Sequence, residues 1–403
     1  MSVAPPFDGL KVLDLAWVVA GPAVGRVLAD YGATVVRLES SVRVEIARVM
    51  GPYPGGVIDP QRCALYDTCN TGKLGMAIDL AQEAGRDVVR DLAAWADVVV
   101  ESFMPGQLNR WGLGADALRA INPRLVGLST SLMGQTGPYS ALAGFGNIGA
   151  AMAGFQSVVG HEDSPPIGPF GPYTDYVAPR FSLVALLAAL DHRRRTGEGC
   201  WLDVSQAEAG IQFLAAEVAA GAATGRYARP MGNRDAHASP NGVFRCAGED
   251  DWIAISVAGD AEWSRLAALI GGDALDGAFA TFQGRKAEED RLEALISRWT
   301  ADRAAPALEA ELQALGVAAH VAARSEDMVA DPQLEARGHW VRLPHPLGGE
   351  SVVESSRFTL SETPAQYLRP APHFGRDARQ VLLDILGYEE HRFAELDAAG
   401  VLR

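Results

Sequence analysis

Cysteine is scarce in this 403-residue sequence, and the four present (Cys63, Cys69, Cys200 and Cys246) are too scattered for a disulfide framework and form no C-x-x-C pair. A reducing, cytoplasmic compartment is therefore expected. No run approaches the ~20 apolar residues that span a bilayer, and residues 1–8 lack the basic segment and apolar core of an export signal. The chain is expected to be soluble. Positive charge is also short: 35 basic against 50 acidic residues give a net charge of −15, which repels nucleic-acid phosphates and anionic lipid headgroups. Neither nucleic acid nor a membrane is an expected partner. Of the 35 basic residues only Lys11, Lys73 and Lys286 are lysines, so 32 are arginines. Arginine is the better grip on phosphate and carboxylate, although a biased genome gives the same excess.

Several local signatures are missing as well. There is no G-x-S-x-G elbow for a serine hydrolase and no G-x-x-x-x-G-K-[ST] loop for a P-loop NTPase. The eight histidines show no H-x-x-H or H-E-x-x-H spacing and are not joined by the cysteines, so no metal site is expected. The stretch Gly144-Phe-Gly146-Asn-Ile-Gly149 matches the dinucleotide fingerprint as a bare pattern, yet a turn-rich loop precedes it where a strand is required. NAD is rejected, and small residues that let a helix pack tightly are the plainer reading.

What is present is a chain too apolar for disorder, 48% hydrophobic with 21% charged residues, and too long for one compact core. Two domains are expected. The first 130 residues alternate β-branched runs (10–15, 34–38, 97–103 and 124–130) with helix-period stretches (22–31, 83–95 and 115–122), the pattern of an α/β, Rossmann-like parallel sheet. A Pro/Gly-rich loop over 160–173 leads to an apolar helix over 180–194, whose basic end suits the negative pole of a helix dipole. A strand over 201–204 and an Ala-rich helix follow. Beyond Gly225 the composition shifts, with a loop over 229–241, a strand near 252–257 and charged helices over 261–270 and 287–301. The expected division is a large domain begun by 1–225, a smaller α+β domain over 226–330, and 331–403 completing the large domain. That last part holds strand-like segments (340–343 and 351–358) in a return linker, then helices over 377–386 and 389–399.

Two features carry chemistry. The turn Asp14-Leu-Ala-Trp17-Val18-Val-Ala20-Gly21-Pro22 opens a helix at the carboxyl end of a strand, where ligands of open α/β sheets bind and helix N–H groups favour phosphate. A Gly-Pro pair there is also ordinary helix punctuation. The second is Tyr173-Thr-Asp175-Tyr176, an acid between aromatics leading into an apolar helix. From the residues alone, an N-cap aspartate is the plainer account.

Read in order, many segments resemble one family. They include Gly9-Leu-Lys-Val-Leu-Asp14-Leu with Ala20-Gly-Pro22, Leu28-Ala-Asp-Tyr-Gly32-Ala with Val36-Arg-Leu-Glu39, and Asn70-Thr-Gly-Lys73 with Asp79-Leu. Further along stand Ala96-Asp-Val-Val-Val-Glu101-Ser-Phe103-Met-Pro105-Gly106, Asn122-Pro-Arg124, Gly134-Gln-Thr-Gly-Pro138-Tyr139, Arg195-Thr-Gly197-Glu-Gly199 with Asp203-Val-Ser205, and Gly232-Asn233. This series resembles the class III CoA-transferases, also called the formyl-CoA transferase or CaiB–BaiF family. The resemblance implies a Rossmann-like large domain built from both chain ends, an inserted small domain, and an interlocked dimer, with a heteromer of related subunits as the other arrangement. It implies that Asp175 is the catalytic aspartate. It also implies that coenzyme A enters as an acyl-CoA substrate, with no tightly bound cofactor, and contacts Trp17, Val18, Ala20, Phe103 and Arg110. Two positions depart from the pattern: Ser102 stands where asparagine is usual, and Ser40 where some members carry a basic side chain.

A carboxylate nucleophile suits CoA transfer, because the aspartyl anhydride it forms is reactive enough for the CoA thiolate to attack in turn. The tetrahedral oxyanion needs N–H donors, for which Met231-Gly-Asn233 is the candidate loop. Two rivals stand beside this reading. One is an α-methylacyl-CoA racemase, which pairs the aspartate with a histidine; Phe145 occupies the stretch where that histidine is expected, and His161 lies in a Pro/Gly-rich loop. The other is a noncatalytic subunit of a heteromeric transferase. For the substrate, Arg180, Arg226, Arg229 and Arg234 are candidate clamps for the second carboxylate of a dicarboxylic acid such as succinate. The aromatics Tyr139, Phe145, Phe170, Tyr173 and Tyr176 suit a bulky acyl group or simply packing.

Overall fold

Six short strands pair side by side in the computed structural model, which describes residues 3–403. They are β1 (Lys11–Asp14), β2 (Thr34–Glu39), β3 (Leu74–Ala77), β4 (Val98–Glu101), β5 (Val126–Ser131) and β6 (Trp201–Ser205), in the order β3-β2-β1-β4-β5-β6. Every pairing is parallel. Parallel strands need crossovers, and the crossovers cover both faces of the sheet, which is why the strands read as continuous apolar runs. On one face Val12, Val98, Val100, Val126 and Leu128 pack with Val24 and Leu28 of the helix Ala20–Asp30 and with Leu186 and Ala189 of the helix Tyr173–Thr196. On the other, Leu13, Val36, Met76 and Val99 pack against Val88, Val89 and Leu92 of the helix Glu83–Trp95 and against Val381, Leu382 and Leu396 from the far end of the chain. The strand order reverses between β1 and β4, and a crevice opens outside the carboxyl ends at such a switch point.

Two compact units emerge from the contacts. The first holds residues through Gln156, Gly168–Tyr227 and Gln333–Arg403; the second holds Ser157–Ile167 and Ala228–Pro332. The second unit thus takes in a piece of the Pro/Gly-rich loop as well as a single later stretch, with the Gly232 N–H donating to the Gly160 carbonyl at 2.8 Å. It is built on an antiparallel sheet, β7 (Asn241–Arg245), β8 (Trp252–Ser256) and β9 (Ala318–Val321), in that spatial order. Phe244, Ile253, Ile255, Trp263, Phe279, Leu292 and Leu312 form its core. In the first unit the hairpin β10 (Trp340–Pro344) and β11 (Glu350–Glu354) is antiparallel. Among the described residues no helix is long and apolar enough to cross a membrane.

The helices Ala64–Asn70 and Ala305–Ala314 and the strands β7 and β9 are not expected from the sequence, and three further elements differ from the sequence expectation. Strand β3, Leu-Gly-Met-Ala, carries no β-branched residue and is read only as an edge in the fold, where the C-terminal segment covers it: Asp377 Oδ2 accepts the Gly75 N–H at 2.8 Å and the Asp377 N–H donates back to the Gly75 carbonyl at 2.8 Å. The long helix begins at Tyr173, seven residues before the expected start, because Pro179 lies within it and mimics a boundary. Near the C-terminus Gln380–Ile385 winds as a π-helix, and only Glu390–Ala398 is α-helical.

Covering β3 blunts an edge that is otherwise a template for pairing with another chain. Asp377 is buried and also accepts from Arg369 Nη2 at 2.7 Å. Asp377→Ala is expected to cost about 1–3 kcal/mol, since it orphans a buried N–H and a guanidinium. Urea denaturation checks this; an unchanged midpoint would contradict the role given to the tail.

Candidate active site

The reversal point of the sheet opens into a cavity of about 980 Å³, lined entirely by residues of the first unit. Trp17, Val18, Ala20, Phe103, Arg110 and Asp175, the six residues singled out in the sequence, all line it. They come from the turn after β1 and the first residue of the helix that follows it, from the turn and short helix (Gln107–Arg110) after β4, and from the start of the helix Tyr173–Thr196.

A buried ion network holds the first of these turns. Asp14, at the end of β1, accepts the Ala16 N–H at 3.0 Å and the Lys73 ammonium at 2.7 Å. Lys73 Nζ also donates to the Pro22 carbonyl at 2.8 Å and to Asn70 Oδ1 at 2.9 Å. Arg37 lies 3.5 Å from Asp14 and donates to Glu45 Oε2 at 2.6 Å, and the same Glu45 oxygen accepts the Val18 N–H at 3.2 Å. Asp14, Arg37, Glu45 and Lys73 are all fully buried. Val18 has φ +67°, an uncommon and costly conformation for a β-branched residue. Four buried charges and their hydrogen bonds over-determine the turn enough to keep it.

The turn after β4 is locked onto the same segment. Ser102 Oγ accepts the Trp17 N–H at 2.8 Å and lies 3.3 Å from the Trp17 carbonyl, so serine at this position ties the two turns together. Phe103 packs edge-on to Trp17 and Trp111, with ring centroids 5.9 and 5.2 Å apart. The guanidinium of Arg43 lies 5.8 Å from the Trp17 ring. Arg43 was not singled out in the sequence; it lines the cavity three positions beyond Ser40, whose hydroxyl accepts its N–H at 3.3 Å. Arg43 and Arg110 are the two cations among the lining residues.

Asp175 does not cap its helix. The N-cap position belongs to Pro172, and Asp175 sits in the first turn with its carboxylate turned to a different helix, Gly146–Ala153, where Oδ2 accepts the Gly146 N–H at 3.2 Å. That contact requires glycine: a Cβ on Gly146 would lie 2.4 Å from the Pro172 carbonyl oxygen and 2.6 Å from the Asp175 nitrogen. The fingerprint-like glycines therefore serve close helix packing. Thr174 Oγ1 donates to the Gly146 carbonyl at 3.1 Å and lies 3.4 Å from Gln206 Oε1. Gln206, which opens the helix Gln206–Ile211 after β6, hydrogen-bonds the Asp175 carboxyl. Asp175 is 5% exposed. Burial pushes its carboxyl up to about 6, against the opposing pull of the Gly146 N–H and the Gln206 amide, and among the described residues no cation acts on it.

The other candidates fall elsewhere. None of Arg180, Arg226, Arg229 and Arg234 lines the cavity, and Arg234 is held by Asp290 and Glu293 in the second unit. Met231-Gly-Asn233 and His161 also belong to the second unit. Of the five aromatics considered for the acyl group, Phe145 alone is among the lining residues, which include no histidine. Gln206, Thr130, Arg43 and Trp111 line the cavity without having stood out in the sequence; Gln206 follows directly on the Asp203-Val-Ser205 motif, a signal that adjacency could have supplied.

The chain is 32% identical over 401 residues to the succinyl-CoA–D-citramalate CoA-transferase of Chloroflexus aurantiacus, covering 98% of each chain. It is 33% identical over 385 residues to the succinate–glutarate CoA-transferase of Agrobacterium fabrum, covering 94% of this chain and 96% of that one. A crystal structure of a CAIB/BAIF family protein from Brucella suis superposes with a TM-score of 0.87 at 31% identity, covering 95% of this chain and all of that one. The model of CoA-transferase family III matches residues 7–378, and the chain belongs to that family.

Proposed function

We propose that this enzyme moves coenzyme A from a dicarboxylic acyl-CoA to a second carboxylic acid, with Asp175 as the group that is transiently acylated. The observation that carries the reading is the state of that carboxylate: buried at one wall of an apolar cavity, held by two neutral donors, and without a cationic partner among the described residues. Such a carboxylate is ionised at neutral pH but poorly solvated, which favours attack on an acyl carbon. An Asp175 oxygen adds to the thioester carbonyl carbon, and the tetrahedral adduct expels the CoA thiolate to leave an aspartyl anhydride. The thiolate then attacks the Asp175 carbonyl, freeing the first acid and forming an aspartyl-CoA thioester. The second acid runs the same steps in reverse, so one thioester is made from another and no external energy source is needed.

The names of the two relatives, which pair succinyl-CoA or succinate with another dicarboxylic acid, support that substrate class here. Trp17, Val18, Ala20, Phe103 and Arg110 are the residues proposed to hold coenzyme A, with Arg43 added as a second cation for its phosphates. The presence of Phe145 and the lack of a lining histidine leave a two-base racemase without its second base. A homodimer is the proposed assembly, since Val184, Leu187, Ile211, Phe213 and Val218 leave apolar surface exposed on neighbouring helices.

Four outcomes test this reading. With succinyl-CoA, intact-mass analysis is expected to show a covalent adduct on the wild type and none on Asp175→Asn; an unmodified wild type that still turns over would contradict it. The rate is expected to fall tenfold per pH unit below about 6 and to level off above, because only the ionised carboxyl attacks. A pH–rate profile flat from 5 to 7 would contradict the assignment. A donor and acceptor screen that gave turnover with monocarboxylates alone would overturn the substrate class.

The fourth outcome concerns stability. Between 3.8 and about 6 the folded chain holds the Asp175 proton and the unfolded chain does not, so stability declines as pH rises through that interval. At neutral pH the charge costs on the order of 3 kcal/mol. Asp175→Asn is expected to raise the denaturation midpoint at pH 7, with the gain gone below pH 4; a lower midpoint at pH 7 would contradict it.

A further inference from the structure

We infer that the Thr130 hydroxyl is a catalytic hydrogen-bond donor to the acyl carbonyl oxygen of the substrate thioester. The inference rests on the acyl-transfer reading above and adds a donor where charge develops. Thr130 stands at the carboxyl end of β5, lines the cavity that Asp175 lines, and is 1% exposed. Its Oγ1 has no hydrogen-bond partner among the described residues. A buried hydroxyl left unpaired costs about 1–3 kcal/mol, so an unpartnered one at a ligand cavity points to a partner that arrives with the ligand.

Strand alternation fixes which way the side chain faces. Val126 and Leu128 belong to the apolar layer beneath the helices Ala20–Asp30 and Tyr173–Thr196, and Thr130 is the next residue on that face. Ser129, one residue earlier, faces the opposite way and accepts the Trp201 indole N–H at 2.8 Å. The Thr130 methyl reaches the amino end of the helix Ala20–Asp30, where a Cβ on Gly21 would lie 3.4 Å from Cγ2. Asp175 lies in the first turn of the second helix covering this same face.

Six neighbouring donors are already committed. The Gly146 N–H and the Gln206 amide bind the Asp175 carboxylate, and Thr174 Oγ1 bonds the Gly146 carbonyl. The N–H groups of Ala16, Trp17 and Val18 are held by Asp14, Ser102 and Glu45. Thr130 and Ser131 are the two buried cavity-lining hydroxyls left without a partner among the described residues, and alternation along β5 puts Thr130, not Ser131, on the face that the Asp175 helix covers. When the Asp175 oxygen bonds to the thioester carbon, the carbonyl π pair moves onto oxygen. A hydroxyl hydrogen bond to that oxygen strengthens as the charge grows and weakens again when the thiolate leaves. Donors aimed at developing charge in a water-poor site are worth about 10²–10³-fold in rate each.

The test is a rapid-quench measurement of Asp175 adduct formation from succinyl-CoA in wild type, Thr130→Val, Thr130→Ala and Thr130→Ser, with CoA affinity measured on each. Val and Ala are expected to slow adduct formation about 10²-fold while CoA affinity stays within about threefold, and Ser, which restores the hydroxyl, to recover most of the rate. If Val misfolds, the Ala–Ser pair carries the same comparison. Adduct formation at the wild-type rate in both Val and Ala overturns the inference alone, as does loss in Ser equal to that in Ala. No adduct on the wild type would overturn the acyl-transfer reading beneath it.

Discussion

The geometry of the site depends on the approach of two helix starts, where the backbone of Gly146 meets the first turn of the helix that carries Asp175. The gap leaves no space for a side chain on Gly146, and it is what lets a backbone N–H reach the Asp175 carboxylate. Withdrawal of the carboxylate from water follows from the same packing. A longer approach would admit solvent and lower the carboxyl toward its ordinary value. Pro179 contributes from the other side: it has no N–H to close a helical bond on the Asp175 carbonyl, so the first turn of this helix is held less by its own ladder than by its neighbours.

A second constraint shapes the wall of the cavity built by the turns after β1 and β4. The Trp17–Val18 turn is strained, and four buried charges hold it there. Such charges are costly to desolvate, and isolated ones would not persist. Here each carboxylate meets a cation and a backbone N–H, so the network is satisfied at most of its atoms and acts as a mould for the turn. The order of strands sets the mould beside the acid, since β1 and β4 flank the reversal of the sheet and both turns open to the same side.

How much of this was legible follows from where each signal is local. The buried strands β1, β2, β4 and β5 announce themselves through β-branched runs, because a strand covered on both faces needs little else. Strand β3 does not, since its pairing is conferred by β2 on one side and by Asp377, some three hundred residues away, on the other. The start of the long helix was hidden by Pro179, a residue that usually marks a boundary and here lies inside one. Asp175 stands out by its aromatic flanks, but the role proposed for it comes from the family resemblance, because nothing in Tyr-Thr-Asp-Tyr tells that the carboxylate faces another helix. Lys73 and Glu45 were part of the sequence with no visible partner, and only the fold brings them to Asp14 and Val18. Thr130 and Gln206 read as an ordinary strand end and an ordinary helix start.

The central claim is that an Asp175 oxygen takes part in the covalent chemistry, which makes a prediction about atoms. Turnover with an acceptor acid whose carboxylate carries heavy oxygen should leave that isotope in the Asp175 carboxyl, one atom per cycle, found by peptide mass mapping. Label confined to the acid and its CoA ester, with Asp175 unlabelled after many turnovers, would contradict the account.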